Sequence, residues 1–414
     1  MARIKSFCKN HIYAFAFFAF LVLYNFVVVL KCQLPQISEV VYSFHIVDYS
    51  IGFCSKLLVG AIFNFFYDEI NRSNVLTYEI ILILLLFVTI AIFCEKLFKK
   101  VSYKYRKTAL IIIFFFLSGP GTFAPHILDI GSLDLYWVYF TVLFIVCLTN
   151  QKLYPLIIVP FVFCVLIHFA SLICFIPFFV IVSLYKLSGI EDITERKKLW
   201  ISLIVSVILA VALAAYFMMF ERSNVNYTIE EFHEFLKSKG STHFRYYDWY
   251  LYQVYESELN EVVKQFETTQ GIWYAIQTVF QQMHYTILLL LRNPESLTAS
   301  TEAFLFSLPI TVLLFAFIIK QIKDNRKNKI RSFSLVLSLM LFFATPVTGL
   351  FFSLDYVRWF AHAFLILFMT CLYICYIENQ NCWQTLHNII SKFPVATLLG
   401  YFIVYITNTY SLYS

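Results

Sequence analysis

Long apolar runs recur along the chain, and they constrain the fold more than any other feature. A helix rises about 1.5 Å per residue, so about 20 apolar residues cross the ~30 Å hydrocarbon core of a bilayer. With 60% hydrophobic and 14% charged residues, the chain lacks the polar surface that a soluble domain requires. The sequence therefore predicts an all-α, polytopic integral membrane protein.

About eleven transmembrane helices are predicted, within one transmembrane domain that covers residues 1–414. The stretch 153–185 is too long for one crossing and has His168 at its centre, so we divide it into a tight helical hairpin. A first loop, 32–75, and a large helical loop, 221–301, lie on the same side of the membrane. The apolar runs fall near residues 12–31, 76–95, 108–124, 134–149, 153–167, 169–185, 199–219, 302–321, 332–352, 359–377 and 393–410.

The distribution of charge predicts the orientation. With the N-terminus inside, the inner segments hold roughly two thirds of the 31 Lys and Arg residues, and roughly three quarters of the 25 Asp and Glu residues lie outside. Basic loops favour the cytoplasmic face. We therefore expect a protein of the bacterial plasma (inner) membrane, with a cytoplasmic N-terminus and an extracytoplasmic C-terminus.

The run 271–291 is ambiguous. As a transmembrane helix it would move the basic loop 320–331 to the outer side, against the charge pattern. Its glutamines and His284 also make a poor lipid-facing surface. An interfacial or re-entrant helix is the preferred interpretation, and a crossing stays open.

The first outer loop offers a candidate catalytic base. Asp48 lies between the first apolar run and an amphipathic segment, 51–69, that is predicted to lie in the membrane surface with Lys56 extending to the headgroups. A carboxylate there can deprotonate an acceptor hydroxyl, or it can cap the following helix. Asp68 and Glu69 either hold a divalent metal (Mg²⁺ or Mn²⁺) or are simply solvated. Cys32 and Cys54 can pair in an oxidising compartment.

Further candidates lie in the later outer segments. Segment 118–134 is rich in Gly and Pro, which predicts irregular backbone lining a cavity, with Asp129 and Asp134 at its mouth. Thr228 and Glu231 have the form of a capping box that opens a short helix ending at Gly240. The aromatic run 243–255 suits either sugar stacking or the headgroup region. Its candidate substrate-binding residues are Arg245, Asp248 and Trp249.

Charged residues also begin the tenth predicted crossing. Asp355, Arg358 and His362 share one helix face at spacings of three and four residues. Charge at this depth is costly unless it is paired or functional. Arg358 can therefore grip a lipid-linked phosphate, or it can pair with Asp355 to fix the helix end. His168, at the hairpin apex, is either a hydrogen-bonded structural histidine or a catalytic one.

The layout resembles that of the GT-C class of polytopic glycosyltransferases, in which an acid-bearing first outer loop and a later helical outer loop follow this order. It is also similar to bacterial O-antigen and exopolysaccharide polymerases, with ten to twelve transmembrane helices and one large outer loop. The resemblance implies polyprenyl-linked sugar donors, with Asp48 (or Asp68) as the base in a GT-C enzyme. In a polymerase it implies Arg245 and Arg358 as phosphate ligands. The chain lacks the paired-acid motif of many GT-C members.

The sequence therefore favours a hexosyltransferase-like membrane glycosyltransferase or polysaccharide polymerase. Its catalytic candidates are Asp48, Asp134 and His168, and its expected partners are a polyprenyl-linked glycan and membrane lipids. No cofactor is required beyond the metal considered above, and nucleic acid is not expected, because membrane sidedness explains the basic residues. Two alternatives stay open, namely a transporter or flippase and a non-catalytic membrane assembly factor. The sugar, the linkage and the oligomeric state are not predicted.

Overall fold

The fold was analysed in a computed structural model that describes residues 11–31, 37–67, 70–119, 132–241, 244–252, 270–292, 295–352 and 356–411. Within these ranges the regular structure is entirely helical, as predicted. The first nine helices are α1 (Ile12–Lys31), α2 (Glu39–Ile46), α3 (Leu58–Phe66), α4 (Arg72–Lys100), α5 (Arg106–Ser118), α6 (Leu133–Leu148), α7 (Ile158–Ile167), α8 (Phe175–Leu187) and α9 (Ile193–Phe220). The others are α10 (Ile229–Ser238), α11 (Arg245–Tyr252), α12 (Ile272–Arg292), α13 (Glu295–Asp324), α14 (Lys329–Phe352), α15 (Tyr356–Glu378), α16 (Gln380–Ile390) and α17 (Val395–Ser411).

Several of these helices indicate a membrane protein. Five are long and apolar enough to cross a bilayer, and α16 with α17 makes a sixth if that pair, bent by 95°, is one span. Four shorter apolar helices lie over Ile12–Val27, Leu133–Leu148, Gln151–Ile167 and Phe175–Leu187. The predicted total of about eleven crossings therefore stays a prediction.

Helix α15 forms the centre of the bundle. In the most apolar 18-residue stretch of α15, 89% of the residues are buried inside the protein, compared with 28% in the corresponding stretch of α9. Helices α13 and α14 pack along α15, and α8 packs against α14. The outward residues of α9, such as Ile201 and Ile208, are apolar and exposed, which is expected of a surface that faces lipid.

Two ambiguous stretches take definite forms. The predicted break at His168 is confirmed, because α7 ends at Ile167 and α8 begins at Phe175, whereas two membrane crossings by this stretch stay a prediction. Stretch 271–291 forms the continuous helix α12, which packs against α14 and α9. It does not qualify as a candidate span. The predicted inner loop 378–392 contains the helix α16, which lies at a steep angle to α17.

The two loops that the sequence places on the outer side form one structure, which the sequence did not predict. Residues 37–67 and 221–252, here called the loop body, are joined by backbone and side-chain hydrogen bonds. The amide of Asn226 donates to Ile51 O (2.8 Å), and the Tyr247 hydroxyl donates to Ser43 O (3.2 Å). Gly52, at φ +137°, lies so close to Asn224 that a Cβ would stand 2.0 Å from its carbonyl oxygen. The loop body therefore depends on close backbone contact.

Local signals in the second half of the loop body are confirmed. The Thr228 hydroxyl accepts from the Glu231 amide (3.3 Å), and the Glu231 carboxylate accepts from the Thr228 amide (2.9 Å). This is the predicted capping box. Helix α10 ends at Ser238, and Gly240 takes the left-handed φ of +79° that stops a helix.

The predicted surface helix over 51–69 is wrong in extent. Tyr49–Ile51 forms a single 3₁₀ turn, the chain then breaks over 52–57, and α3 begins only at Leu58. Lys56 lies in that break at φ +70° and is 3% exposed. It points into the protein instead of reaching the headgroups, which corrects the prediction for this side chain.

Candidate functional site

A cavity of about 560 Å³ lies where the loop body covers one end of the helix bundle. The start of α6, the start of α15 and the end of α9 all meet there. Aromatic walls surround a small set of charged groups, a composition typical of ligand sites. The charged or aromatic lining residues are Phe44, Lys56, Asp134, Trp137, His168, Phe169, Phe217, Glu221, Arg222, Tyr250, Tyr274, Arg358 and Trp359.

Asp134 is the first of two carboxylates in the cavity. It lies in the first turn of α6, where the positive end of the helix dipole favours an acid, and it is 2% exposed. Arg358 Nε lies 2.6 Å from Asp134 Oδ2, and His362 Nε2 lies 3.5 Å from the same oxygen. The predicted common face of Arg358 and His362 is confirmed, since both reach one carboxylate.

Glu221 is the second carboxylate, and no pattern in the sequence indicates it. It caps the C-terminal end of α9, where the helix dipole disfavours an acid, so it needs other donors. Its Oε1 accepts from the Ser55 amide (2.5 Å) and from the Tyr250 hydroxyl. Glu221 therefore ties the break in the first loop to α9 and α11.

Lys56 enters the cavity from that break. Its amide donates to Leu166 O (3.0 Å), which fixes the backbone against the hairpin. Its Nζ lies 3.3 Å from the centroid of the Tyr250 ring, as a cation–π contact. Burial lowers the pKa of Lys56 to about 7. The positive charges of Arg358 and Arg222 lower this pKa further, and the negative charge of Glu221 raises it in part.

His168 lines the cavity as a hydrogen-bond donor. Its Nδ1 accepts from the Ala170 amide (3.2 Å), so the proton of a neutral ring lies on Nε2. An imidazole in this state presents an N–H to a ligand. Geometry therefore assigns His168 to binding more readily than to proton abstraction.

A buried polar cluster lies behind the cavity wall. His45 Nδ1 donates to Val41 O (2.8 Å), and its Nε2 meets Glu79 Oε1 at 2.7 Å, with one proton between them. The Tyr136 hydroxyl also donates to Glu79 Oε1. This cluster joins α2, α4 and α6, and thereby fixes two cavity walls relative to each other.

Asp48, the base favoured by the sequence, lies outside the cavity lining. It caps the Tyr49–Ile51 turn: Oδ1 accepts from the Ser50 amide (2.8 Å) and Oδ2 from Asn64 Nδ2 (2.6 Å). Burial alone would raise the pKa of Asp48, but these bonds lower it below its ordinary value. The capping interpretation is the one that the structure supports.

Asp48→Ala is expected to lower the free energy of unfolding by about 1 kcal/mol, the usual cost of losing a cap, whereas Asp48→Asn should cost less because its amide oxygen can still cap the turn. Because the folded pKa is depressed, the stabilisation by this carboxylate is present above the unfolded pKa of about 4 and lost as pH falls through the folded pKa. Thermal unfolding of the three proteins in detergent checks this. Equal losses in both variants would contradict a capping role.

The other predicted residues are dispersed. Asp248 Oδ1 contacts His233 Nε2 at 2.6 Å, outside the cavity lining. Arg245 and Trp249 lie on α11, but their side chains, like the whole of Asp355 and Asp129, are outside the described residues. Among the side chains of the aromatic run that the structure describes, Tyr247 is fully buried and Tyr250 lines the cavity.

Metal and disulfide predictions find no support in the described part of the chain. No three or more His, Cys, Asp or Glu side chains come together there as ligands. Asp68, Glu69 and Cys32 lie outside it. Cys54 is a buried free thiol that donates to Glu221 O at 3.3 Å.

The arrangement suits transfer chemistry on an anionic substrate. Three cationic side chains, Lys56, Arg222 and Arg358, can hold a phosphate, and a carboxylate held in place can accept a proton. Compared with known proteins, the chain matches no family model, and no curated protein is significantly similar to it.

Proposed function

We propose that the protein is a membrane glycosyltransferase or polysaccharide polymerase that joins sugars from a polyprenyl-phosphate carrier at the outer membrane face, in cell-surface glycan assembly. The observation that carries the proposal is the cavity, which brings three cations and two carboxylates together among aromatic walls at one end of an apolar bundle. Each part of a lipid-linked sugar finds a suitable environment there.

The phosphate of the donor is assigned to the cations. A sugar phosphate leaves as an anion, and fixed positive charge in a site shielded from water stabilises that charge as it develops. Arg358 offers a planar set of donors, and Arg222 and Lys56 add charge across the cavity. In this proposal the lipid tail lies against the apolar helices α9 and α15, at whose ends the cavity lies.

The acceptor hydroxyl is assigned to Asp134. Arg358 Nε contacts Oδ2 of this carboxylate, and a carboxylate positioned in this way can act as a general base. Trp137 and Trp359 line the same cavity, and aromatic rings are suited to contact with sugars. In this proposal Asp134 takes the acceptor proton while the phosphate departs toward the cations.

The direct test is transfer in a defined membrane. The full chain, reconstituted in nanodiscs, is given a panel of polyprenyl-phosphate and polyprenyl-diphosphate sugars with glycan acceptors, and release of the lipid phosphate is measured. Time-dependent release that needs the acceptor is the expected result.

If no donor in the panel reacts, a transport assay in liposomes distinguishes the alternatives. If no donor reacts, but the protein moves labelled lipid-linked or polar anions across a liposome membrane, the proposal is wrong and a transporter is the better description. If it does neither, an assembly factor is favoured.

A further inference from the structure

The cations of the cavity differ in one chemical respect. Arginine side chains stay protonated in proteins, so Arg222 and Arg358 are charged at every physiological pH. Lys56 is an amine, and a buried amine can lose its proton. The cavity therefore holds two permanent charges and one that can be switched off.

The structure buries Lys56 at the wall of the cavity. Its backbone is held in the left-handed region at φ +70° by the hydrogen bond from its amide to Leu166 O, and the preceding amide, of Ser55, donates to Glu221. The ammonium rests on the Tyr250 ring, and the residue is 3% exposed. A charge in such a place depends on its neighbours, because bulk water stabilises it little.

The neighbours of Lys56 come from four elements. At the end of α9, Glu221 stabilises the positive charge of Lys56 and Arg222 destabilises it. Arg358 of α15 also destabilises this charge, and Tyr250 of α11 supplies the ring beneath it. His168, at the hairpin turn, also feels the charges of Lys56, Arg358 and Asp134. The repulsion from two arginines is relieved when an anion enters.

Donors for such an anion surround the same space. His168 presents Nε2–H, as its Nδ1 is already an acceptor. Trp359 lines the cavity and is 5% exposed, and within the described part of the chain its indole N–H has no hydrogen-bond acceptor. A tetrahedral oxyanion can accept from these groups together with the cations.

We propose that the cavity is a pH-dependent site for a tetrahedral oxyanion, a phosphate ester in the natural ligand, in which Lys56 supplies the switchable charge. The natural ligand rests on the proposed function, whereas the binding of an oxyanion does not. As pH rises, Lys56 becomes neutral and one of three attractions is lost. The pKa of about 7 for the free protein places this loss just above neutral pH.

Inorganic sulfate is the probe, because its charge is constant between pH 6 and 9. Its affinity for the full chain in a non-ionic detergent is measured by calorimetry across that range. For the wild-type protein, the dissociation constant is expected to rise toward a tenfold change per pH unit above about pH 7. Below that pH it is nearly constant.

Three variants make the test specific. Lys56→Arg keeps a positive charge at every pH, so its dissociation constant for sulfate is expected to stay the same between pH 6 and 9. Lys56→Gln binds weakly at all pH values. Lys237→Gln removes an exposed charge from the same loop body and keeps the wild-type profile. The arginine and glutamine variants carry the same backbone strain at position 56, so they are matched in folding.

Two outcomes overturn the inference: a wild-type affinity for sulfate that does not change between pH 6 and 9, or a Lys56→Gln protein that binds as tightly as the wild type at pH 6. Sugar transfer with a flat sulfate profile would leave the proposed function intact and remove this inference. Sulfate binding that weakens as pH rises, in a protein that does not transfer sugar, would support this inference and remove the proposed function.

Discussion

Asp134→Asn is expected to lower the rate of sugar transfer roughly a hundred- to ten-thousand-fold, the usual contribution of a general base. The amide keeps the shape of the side chain but cannot take a proton. It also weakens the contact with Arg358, which lies 2.6 Å from Oδ2. The measurement is lipid phosphate release at saturating donor and acceptor, so that the loss is recorded in kcat.

Asp48→Asn is the matched control for that experiment. Both residues are aspartates at the start of a helical element, but Asp48 does not line the cavity. Its asparagine variant is expected to keep most of the activity. If Asp48→Asn abolished transfer while Asp134→Asn did not, the base would be the residue favoured by the sequence, and the assignment from the cavity would be wrong.

Gly52→Ala is expected to have the largest effect on stability. A Cβ there would lie 2.0 Å from the carbonyl oxygen of Asn224, and the φ of +137° is one that alanine rarely adopts. Strain of this kind costs about 1–3 kcal/mol, and overpacking costs a similar amount. The two halves of the loop body would separate at this point, so thermal stability and sulfate binding should fall together.

Two other glycines separate backbone strain from steric overlap as causes of the destabilisation. Gly271 has a φ of +92° with no atom within 4 Å of a new Cβ, so Gly271→Ala reports strain alone. Gly400 lies in α17 with equally open space and an ordinary φ, so Gly400→Ala should be harmless. The melting temperature should fall most for Gly52→Ala, less for Gly271→Ala and least for Gly400→Ala. A different order would contradict close contact at Gly52.

Local signals were the ones that could be predicted from the sequence. The capping box at Thr228 and the common face of Arg358 and His362 depend on residues within one or two helical turns, and the spacing alone fixes their geometry. The helical class follows as directly, because lipid leaves few alternatives. The turn at His168 follows from the length of its apolar run.

The cavity could not be predicted in the same way. The bond between Ser55 and Glu221 joins residues 166 positions apart, and no local pattern marks either of them. Hydropathy gives no help, because the protein interior and lipid are equally apolar. The most apolar 18-residue stretches of α15 and α9 have mean hydropathies of 2.1 and 2.6, yet the first stretch is 89% buried and the second 28%. The sequence therefore predicts Lys56 at the headgroups, whereas the side chain lies inside the protein.

The central claim is that the cavity between the loop body and the bundle holds a lipid-linked sugar phosphate. Its most direct test is cryo-electron microscopy of the protein in nanodiscs with a phosphonate analogue of the donor that cannot react. The phosphonate is expected among Lys56, Arg222 and Arg358, with the sugar toward Asp134. Ordered analogue elsewhere on the protein, with this cavity empty, would contradict it.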